Sequence, residues 1–142
     1  MSEQVNRIAV ERFWHAIEAR QWETAGQELH DDFVAEWPHT GEVFRGRDNF
    51  IAMNQNFPDI GDWHITIKRM AANGDLVVSE VVVTHDYGLS YAASFFEMTD
   101  GKIWHATEYW VEAGSEEPPE WRAQWVDHVE RPPTFYGRSQ RA

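Results

Sequence analysis

Cysteine is absent from the 142 residues. That excludes a disulfide framework, a thiolate nucleophile and a zinc–thiolate site, so stability must come from packing. Positive charge is scarce: twelve Lys and Arg stand against twenty-four Asp and Glu, a formal charge of -12. Such a surface repels phosphate backbones and anionic lipid headgroups, which argues against nucleic acid and membrane surfaces as partners. No apolar run approaches the roughly 20 residues needed to span a bilayer. The start, Met1-Ser-Glu-Gln-Val-Asn-Arg7, is polar rather than leader-like, so the expected location is cytoplasmic. Missing too are a Gly-x-Gly-x-x-Gly turn, a phosphate-binding lysine loop and a Gly-x-Ser-x-Gly elbow, which removes support for nucleotide binding and serine-hydrolase chemistry. The seven histidines, at 15, 30, 39, 64, 85, 105 and 128, show neither HExxH nor paired helical spacing, so neither a metal nor a cofactor is expected.

Apolar material is plentiful by contrast. The chain is 42% hydrophobic and 14% aromatic, with eight Trp and eight Phe, well clear of the composition of disorder. At this length one domain is expected, burying roughly 70% of the surface its unfolded form exposes, with room for a modest cavity. Residues 1–130 read as that domain and residues 131–142, with two prolines and little apolar content beyond Phe135 and Tyr136, as a loose tail.

From Glu3 to Arg20 the residues Val5, Ile8, Ala9, Arg12 (by its stem), Phe13, Ala16 and Ile17 recur at helical spacing, predicting an amphipathic helix. A shorter helix follows from about Trp22 to Leu29. Phe33 to Trp37 reads as a strand stopped by Pro38, Glu42 to Phe44 as a second, and Asp48 as the N-cap of a helix carrying Phe50, Ile51 and Met53. The second half alternates and is rich in β-branched and aromatic residues. Trp63–Met70, Asp75–His85, Leu89–Met98 and Ile103–Glu112 read as four strands joined by short turns at Ala72-Asn-Gly74, Asp86-Tyr-Gly88 and Thr99-Asp-Gly101. Helices first and a meander afterwards predict an α+β architecture. Glu120 to Val129 reads as a last helix, whose stripe of Trp121, Trp125 and Val129 needs a surface to dock on, as an anchor or as a lid.

The element order and four strings, Phe33-Val-Ala-Glu-Trp-Pro38, Phe44-Arg-Gly-Arg47, Asp100-Gly-Lys-Ile103 and Glu108-Tyr-Trp110, together resemble the nuclear transport factor 2-like superfamily, over residues 5 to 112 or so. That superfamily includes the ketosteroid isomerases, the limonene epoxide hydrolases and the SnoaL-like polyketide cyclases. The segment from Glu117 to Val129 is similar to a bacterial subgroup of it. The resemblance implies a cone-shaped, curved, antiparallel or mixed sheet wrapped around the N-terminal helices, with an extra C-terminal helix. It also implies a homodimer paired through the open face of the sheet.

For chemistry the resemblance is informative position by position. Where the isomerases carry a helix-borne tyrosine, an aspartate before the proline and a second acid on the strand before the Asp-Gly-Lys-Ile turn, this chain has Phe13, Trp37 and either Ser94 or Ala93. Isomerase activity is therefore not expected. The hydrolases rely on an arginine between two aspartates, yet residues 71–98 contain neither Arg nor Lys, which argues against epoxide opening. An acid on the last strand, shared by hydrolases and cyclases, is matched by Glu108.

Strand alternation puts Trp104, Ala106, Glu108 and Trp110 on one side, and Ile103, His105, Thr107, Tyr109 and Val111 on the other. The resemblance turns the Glu108 side to the cavity. A carboxylate between two Trp in an apolar cone loses hydration, so its pKa should rise and it can exchange a proton near neutral pH; the alternative is a pairing with Arg45 or His85 or an outward side chain. His39 and His85 are the candidate proton partners. Phe13, Trp14, Trp37, Ser94, Phe96, Trp104 and Trp110 are the candidate ligand-binding set, Trp because it offers large apolar area suited to planar organic molecules. Glu80, set among valines, either faces solvent or a dimer partner, the favoured reading, or is a second cavity acid, and whether the small side chains Ser90, Ala92 and Ser94 line the cone or face out is left open by parity alone. Two readings follow: a cofactor-free acid/base enzyme acting on a small apolar or cyclic molecule, or a module of the same fold that binds such a molecule without chemistry.

Overall fold

A computed structural model describes residues 2–58 and 61–130. The elements run α1 (Glu3–Glu18), α2 (Trp22–Gln27), β1 (Leu29–Trp37), β2 (Glu42–Arg45), α3 (Arg47–Gln55), β3 (His64–Asn73), β4 (Leu76–His85), β5 (Gly88–Thr99) and β6 (Lys102–Glu112), then a 3-10 helix, Glu120–Trp125. The strands form one six-stranded sheet in the order β2-β1-β6-β5-β4-β3. Only β1 and β6 pair in parallel; every other neighbour is antiparallel. The predicted α+β class and mixed, curved sheet around N-terminal helices are thus present. No helix among the described residues is long and apolar enough to cross a membrane. The tail expected at 131–142 lies outside the described residues.

Local chemistry explains the elements. Ser2 caps α1 by accepting the Val5 amide at 3.1 Å. The β5–β6 turn places Asp100 and Gly101 at positive φ (55° and 74°), the left-handed pair that a two-residue hairpin needs and that Asp-Gly supplies cheaply. Valines alternate along β4, burying Val77, Val81 and Val83 on one face while Val78 and Val82 face the other way.

Three expectations need correction here. The buried stripe of α1 is Asn6, Ala9, Val10, Phe13, Trp14, Ala16 and Ile17, rotated by about one residue from the predicted one. Val5 and Ile8 are exposed and Arg12 pairs with Glu28 at 2.7 Å, because Trp14 enters the core and finds a polar partner for its indole there. Asp48 is not the N-cap of α3; Gly46 takes that place, and Asp48 sits in the first turn where its charge favours the helix dipole. The last helix is a six-residue 3-10 turn ended by extended backbone at Val126 (φ -123°, ψ 149°), and Trp121 and Trp125 are each 71% exposed. The stripe of Trp121, Trp125 and Val129 therefore docks on nothing among the described residues.

A fourth correction bears on the site. Between the pairs Met98↔Ile103 and Glu97↔His105, β5 advances one residue and β6 advances two, so Trp104 is the extra residue of a bulge. Alternation slips there. Ile103 and Ala106 both point inward, and Trp104 turns to the outer face, 38% exposed, with its ring against His105. From Ala106 onward the predicted parity holds, with Glu108 inward.

Candidate functional site

The helices α1 and α3 and the concave face of the sheet enclose a cavity of about 340 Å³, at the small end of organic-ligand pockets. Trp14 and Ile17 of α1, Met53 and Asn54 of α3, Trp37 of β1, Val83 and His85 of β4, Ser90 of β5 and Trp110 of β6 line it, with Phe57, Trp63 and Ile65 closing one side. His39 and Thr40 from the β1–β2 connection, Glu42 at the start of β2, and Val111 and Glu112 at the end of β6 complete the wall.

Behind the aromatic wall runs a buried polar row. Ser79, Ser94 and Glu108 sit directly across from one another on β4, β5 and β6. Glu108 is 2% exposed, yet its carboxyl meets three donors. Ser94 Oγ donates to Oε2 at 2.7 Å, and the indole N–H groups of Trp37 and Trp110 donate to Oε1 at 3.2 and 3.5 Å. Trp14 donates its own N–H to Ser79 Oγ at 3.1 Å. Three wall tryptophans thus direct their only polar atoms into the row.

Burial pushes the Glu108 carboxyl above the ordinary carboxylate range; the bonds from Ser94, Trp37 and Trp110, and the proximity of His39, oppose that rise without cancelling it. The carboxyl can therefore hold or release a proton closer to neutrality than a surface glutamate. Protonated, it can donate from Oε2 while the Ser94 hydroxyl rotates to accept.

Packing fixes the wall rings. Phe33 meets Phe50, Phe50 meets Phe44, and Phe44 stands edge-on to Trp37, with centroid separations of 5.2, 5.4 and 4.9 Å. Trp14 and Trp110 meet at 6.3 Å with their planes 69° apart, forming a corner of the cavity. Trp63 donates its N–H to the Glu18 carbonyl at 3.0 Å and carries the Arg20 guanidinium over its ring at 4.9 Å.

Of the candidates named from the sequence, the structure brings Trp14, Trp37, Trp110, His39 and His85 to the cavity wall. Glu108 and Ser94 lie immediately behind it, bonded to each other. Phe13 and Phe96 are core residues packed against each other and against Trp14, not wall residues. Trp104 is on the opposite face, because of the bulge. Even-numbered residues of β5 point inward, which settles the side on which Ser90, Ala92 and Ser94 lie. Glu80 faces outward, in a bidentate pair with Arg69.

The His85 ring accepts the Tyr87 amide at Nδ1, 3.3 Å away, and burial lowers its pKa against the opposing pull of Asp86. His39 lies 5.8 Å from the Trp37 ring. Sequence reasoning missed Ser79, although a hydroxyl at an inward position of a valine strand was the available signal. It also missed Phe57 and Trp63, whose placement depends on the path of the chain between α3 and β3. Among the described residues, no group of three or more His, Asp or Glu could hold a metal ion.

Comparison with known proteins places this geometry. Residues 10–106 match the SnoaL-like domain family. A structure from Kribbella flavida described as a candidate ketosteroid isomerase is 29% identical, with 90% of this chain and 92% of that one aligned at a TM-score of 0.79. A nuclear transport factor 2-like protein of unknown function from Burkholderia xenovorans is 28% identical over 90% of this chain and 98% of that one, TM-score 0.73. An epoxide hydrolase of the limonene-epoxide-hydrolase-like kind from M. tuberculosis, 22% identical over 77% of this chain and 84% of that one, shares the fold at a TM-score of 0.66. No curated protein matches.

The raised Glu108 pKa has a sign that unfolding experiments can read. A carboxyl whose folded pKa exceeds its unfolded value contributes stability that is complete below the unfolded pKa and is lost as pH rises through the folded one. Glu108→Gln removes that loss. The stability of wild type minus that of the variant, from denaturant unfolding at a series of pH values, should fall as pH rises from the ordinary carboxylate range to neutrality. Its slope should not exceed about 1.4 kcal/mol per pH unit. A difference that does not change with pH contradicts the raised pKa.

Proposed function

We propose, from the premise that the chain belongs to the SnoaL-like domain family, that its cavity takes up and transforms a small, largely apolar or cyclic molecule by cofactor-free acid/base chemistry. The observation that carries this reading is the Glu108 carboxyl, buried without a bonded Lys or Arg among the described residues and tied to the two indoles that wall the cavity. An isolated acid in an apolar interior costs stability, and sites that tolerate such a cost are enriched in proton-transfer residues.

In this mechanism Glu108 is the proton-transfer group, acting on a substrate held against Trp37 and Trp110, the two wall rings bonded to its carboxyl. His85, neutral at neutral pH because burial disfavours its charge, offers a second proton position on the wall, and His39 a third. Trp14, Trp37 and Trp110 orient the substrate. Ketosteroid isomerisation is not the proposed reaction, since Phe13, Trp37 and Ser94 stand where the resemblance would require that reaction's polar groups.

A second reading, binding without chemistry, has a specific observation in its favour. Glu108 lies behind the wall rather than on it, and its oxygens already accept three hydrogen bonds. The substitution Glu108→Gln separates the two, because the amide retains an acceptor for the indoles and a donor for Ser94. Under the enzyme reading, turnover of a bound cyclic substrate falls by about a hundredfold or more while affinity persists. Retained turnover would overturn Glu108 as the proton-transfer residue. Retained affinity in a protein that turns over none of its ligands favours the binding module.

We also propose that two copies pair through the outer face of the sheet. Tyr91 and Phe95 on β5, with Trp104, Tyr109 and Val111 on β6, form an exposed apolar surface on that side. Light scattering should return twice the chain mass, and Tyr109→Glu should shift the protein toward monomer. A wild-type protein that is monomeric at tens of micromolar, on the order of ordinary assay concentrations, excludes a stable pair.

A further inference from the structure

The four tryptophans that line the cavity share a feature that narrows its ligand. Each commits its single N–H elsewhere: Trp14 to Ser79, Trp37 and Trp110 to Glu108, Trp63 to the Glu18 carbonyl. What they offer a ligand is ring surface, and the face of an indole carries negative potential. Trp37 and Trp110 both bond to one carboxyl, which when ionised pushes electron density into the two rings and stands as a negative charge directly behind them.

The permanent charges among the described wall residues have the same sign, beside the imidazoles of His39 and His85. Glu42 and Glu112 line the cavity, and none of its described lining residues is Lys or Arg. The chain as a whole carries a formal charge of -12. One of the four indoles already holds a cation, the Arg20 guanidinium over Trp63.

From the indole faces, the carboxyl behind them and the acidic wall, we infer that the ligand is a small organic cation, a protonated or quaternary amine on an apolar, ring-sized body, whose charged head sits in the corner formed by Trp14 and Trp110. The inference rests on the reading of this cavity as a small-molecule site and adds the charge of the molecule it takes. In that corner a carboxylate or phosphate would face ring surfaces with the Glu108 carboxyl behind them, and the same argument disfavours it. The Ser79–Ser94–Glu108 row acquires a second role: by fixing the N–H groups inward it keeps the ring surfaces of Trp14, Trp37 and Trp110 available to the cation.

Calorimetric titration of the whole protein with three probes of matched shape tests this. Benzyltrimethylammonium supplies the cation, neopentylbenzene replaces its nitrogen by carbon, and phenylacetate supplies an anion on a similar body. The expected order is the ammonium at least about tenfold tighter than neopentylbenzene, with phenylacetate weakest. Glu108→Gln, which keeps the indole acceptor but removes the charge, should reduce the ammonium-over-neutral ratio severalfold, and Trp110→Leu should abolish it. Neopentylbenzene binding as tightly as the ammonium overturns the cation while leaving the small-molecule reading intact. A ratio unchanged in both variants overturns the corner as its binding place. Failure of all three probes to bind overturns the inference together with the small-molecule reading beneath it.

Discussion

A carboxyl taken out of water must be met by donors or neutralised, and in this protein Glu108 is met by Ser94, Trp37 and Trp110. Much of the cavity's geometry follows from that requirement. Trp37 cannot rotate without leaving the carboxyl, and the Phe33, Phe50 and Phe44 contacts hold it from the other side. Trp110 is held by the same oxygen and packs against Trp14. Trp14 is in turn tied to Ser79 in the neighbouring strand, so helix α1 and strands β1, β4, β5 and β6 converge on one polar row. Replacing any member with an apolar residue would leave a buried donor or acceptor without its partner, the costlier half of hydrogen-bond energetics.

Much of this was legible in the residues. Alternation in the second half located all four of its strands, and the Asp100-Gly101 turn located the last hairpin, because turn chemistry and period-two patterning are local properties. The inward orientation of Glu108 came from strand parity together with the resemblance, and the structure has its side chain buried on that side; Trp37, placed at the cavity by its indole chemistry, lines the wall. Parity failed at Trp104, where a one-residue bulge reversed the face without any change in composition to announce it. The α1 stripe was misjudged by about one residue because Asn6, a polar residue, is fully buried while Val5 and Ile8 are not. Tertiary packing, not helix periodicity, chose that face. The C-terminal Trp stripe had the spacing of a helix but is too short and too exposed to be held as one. The contribution of Trp63 to the cavity was illegible for another reason: it depends on a long-range contact, the Trp63 N–H on the Glu18 carbonyl at the end of α1, that no local pattern announces.

Two apolar surfaces with different chemistry come from one curved sheet. The concave side buries its polar groups in pairs and leaves aromatic rings around a space. The convex side exposes aromatic and aliphatic side chains beside polar and charged ones, with the His105 ring between the carboxyls of Glu36 and Glu97. Because successive residues of each strand serve opposite sides, substitutions on one face need not disturb the other. That separation is how a single fold can hold its architecture while changes among the cavity residues redirect what the pocket accepts.

The account depends most on the two indoles being held by one carboxyl. Indole N–H signals of the nitrogen-15-labelled protein, recorded for wild type and Glu108→Gln, read this directly. The account predicts slowly exchanging Trp37 and Trp110 N–H protons, well apart in shift from those of the exposed Trp121 and Trp125, that move together on substitution while the Trp63 signal stays in place. Trp37 and Trp110 signals that exchange as freely as Trp121 and Trp125, or that do not respond to the loss of the carboxylate, would contradict it.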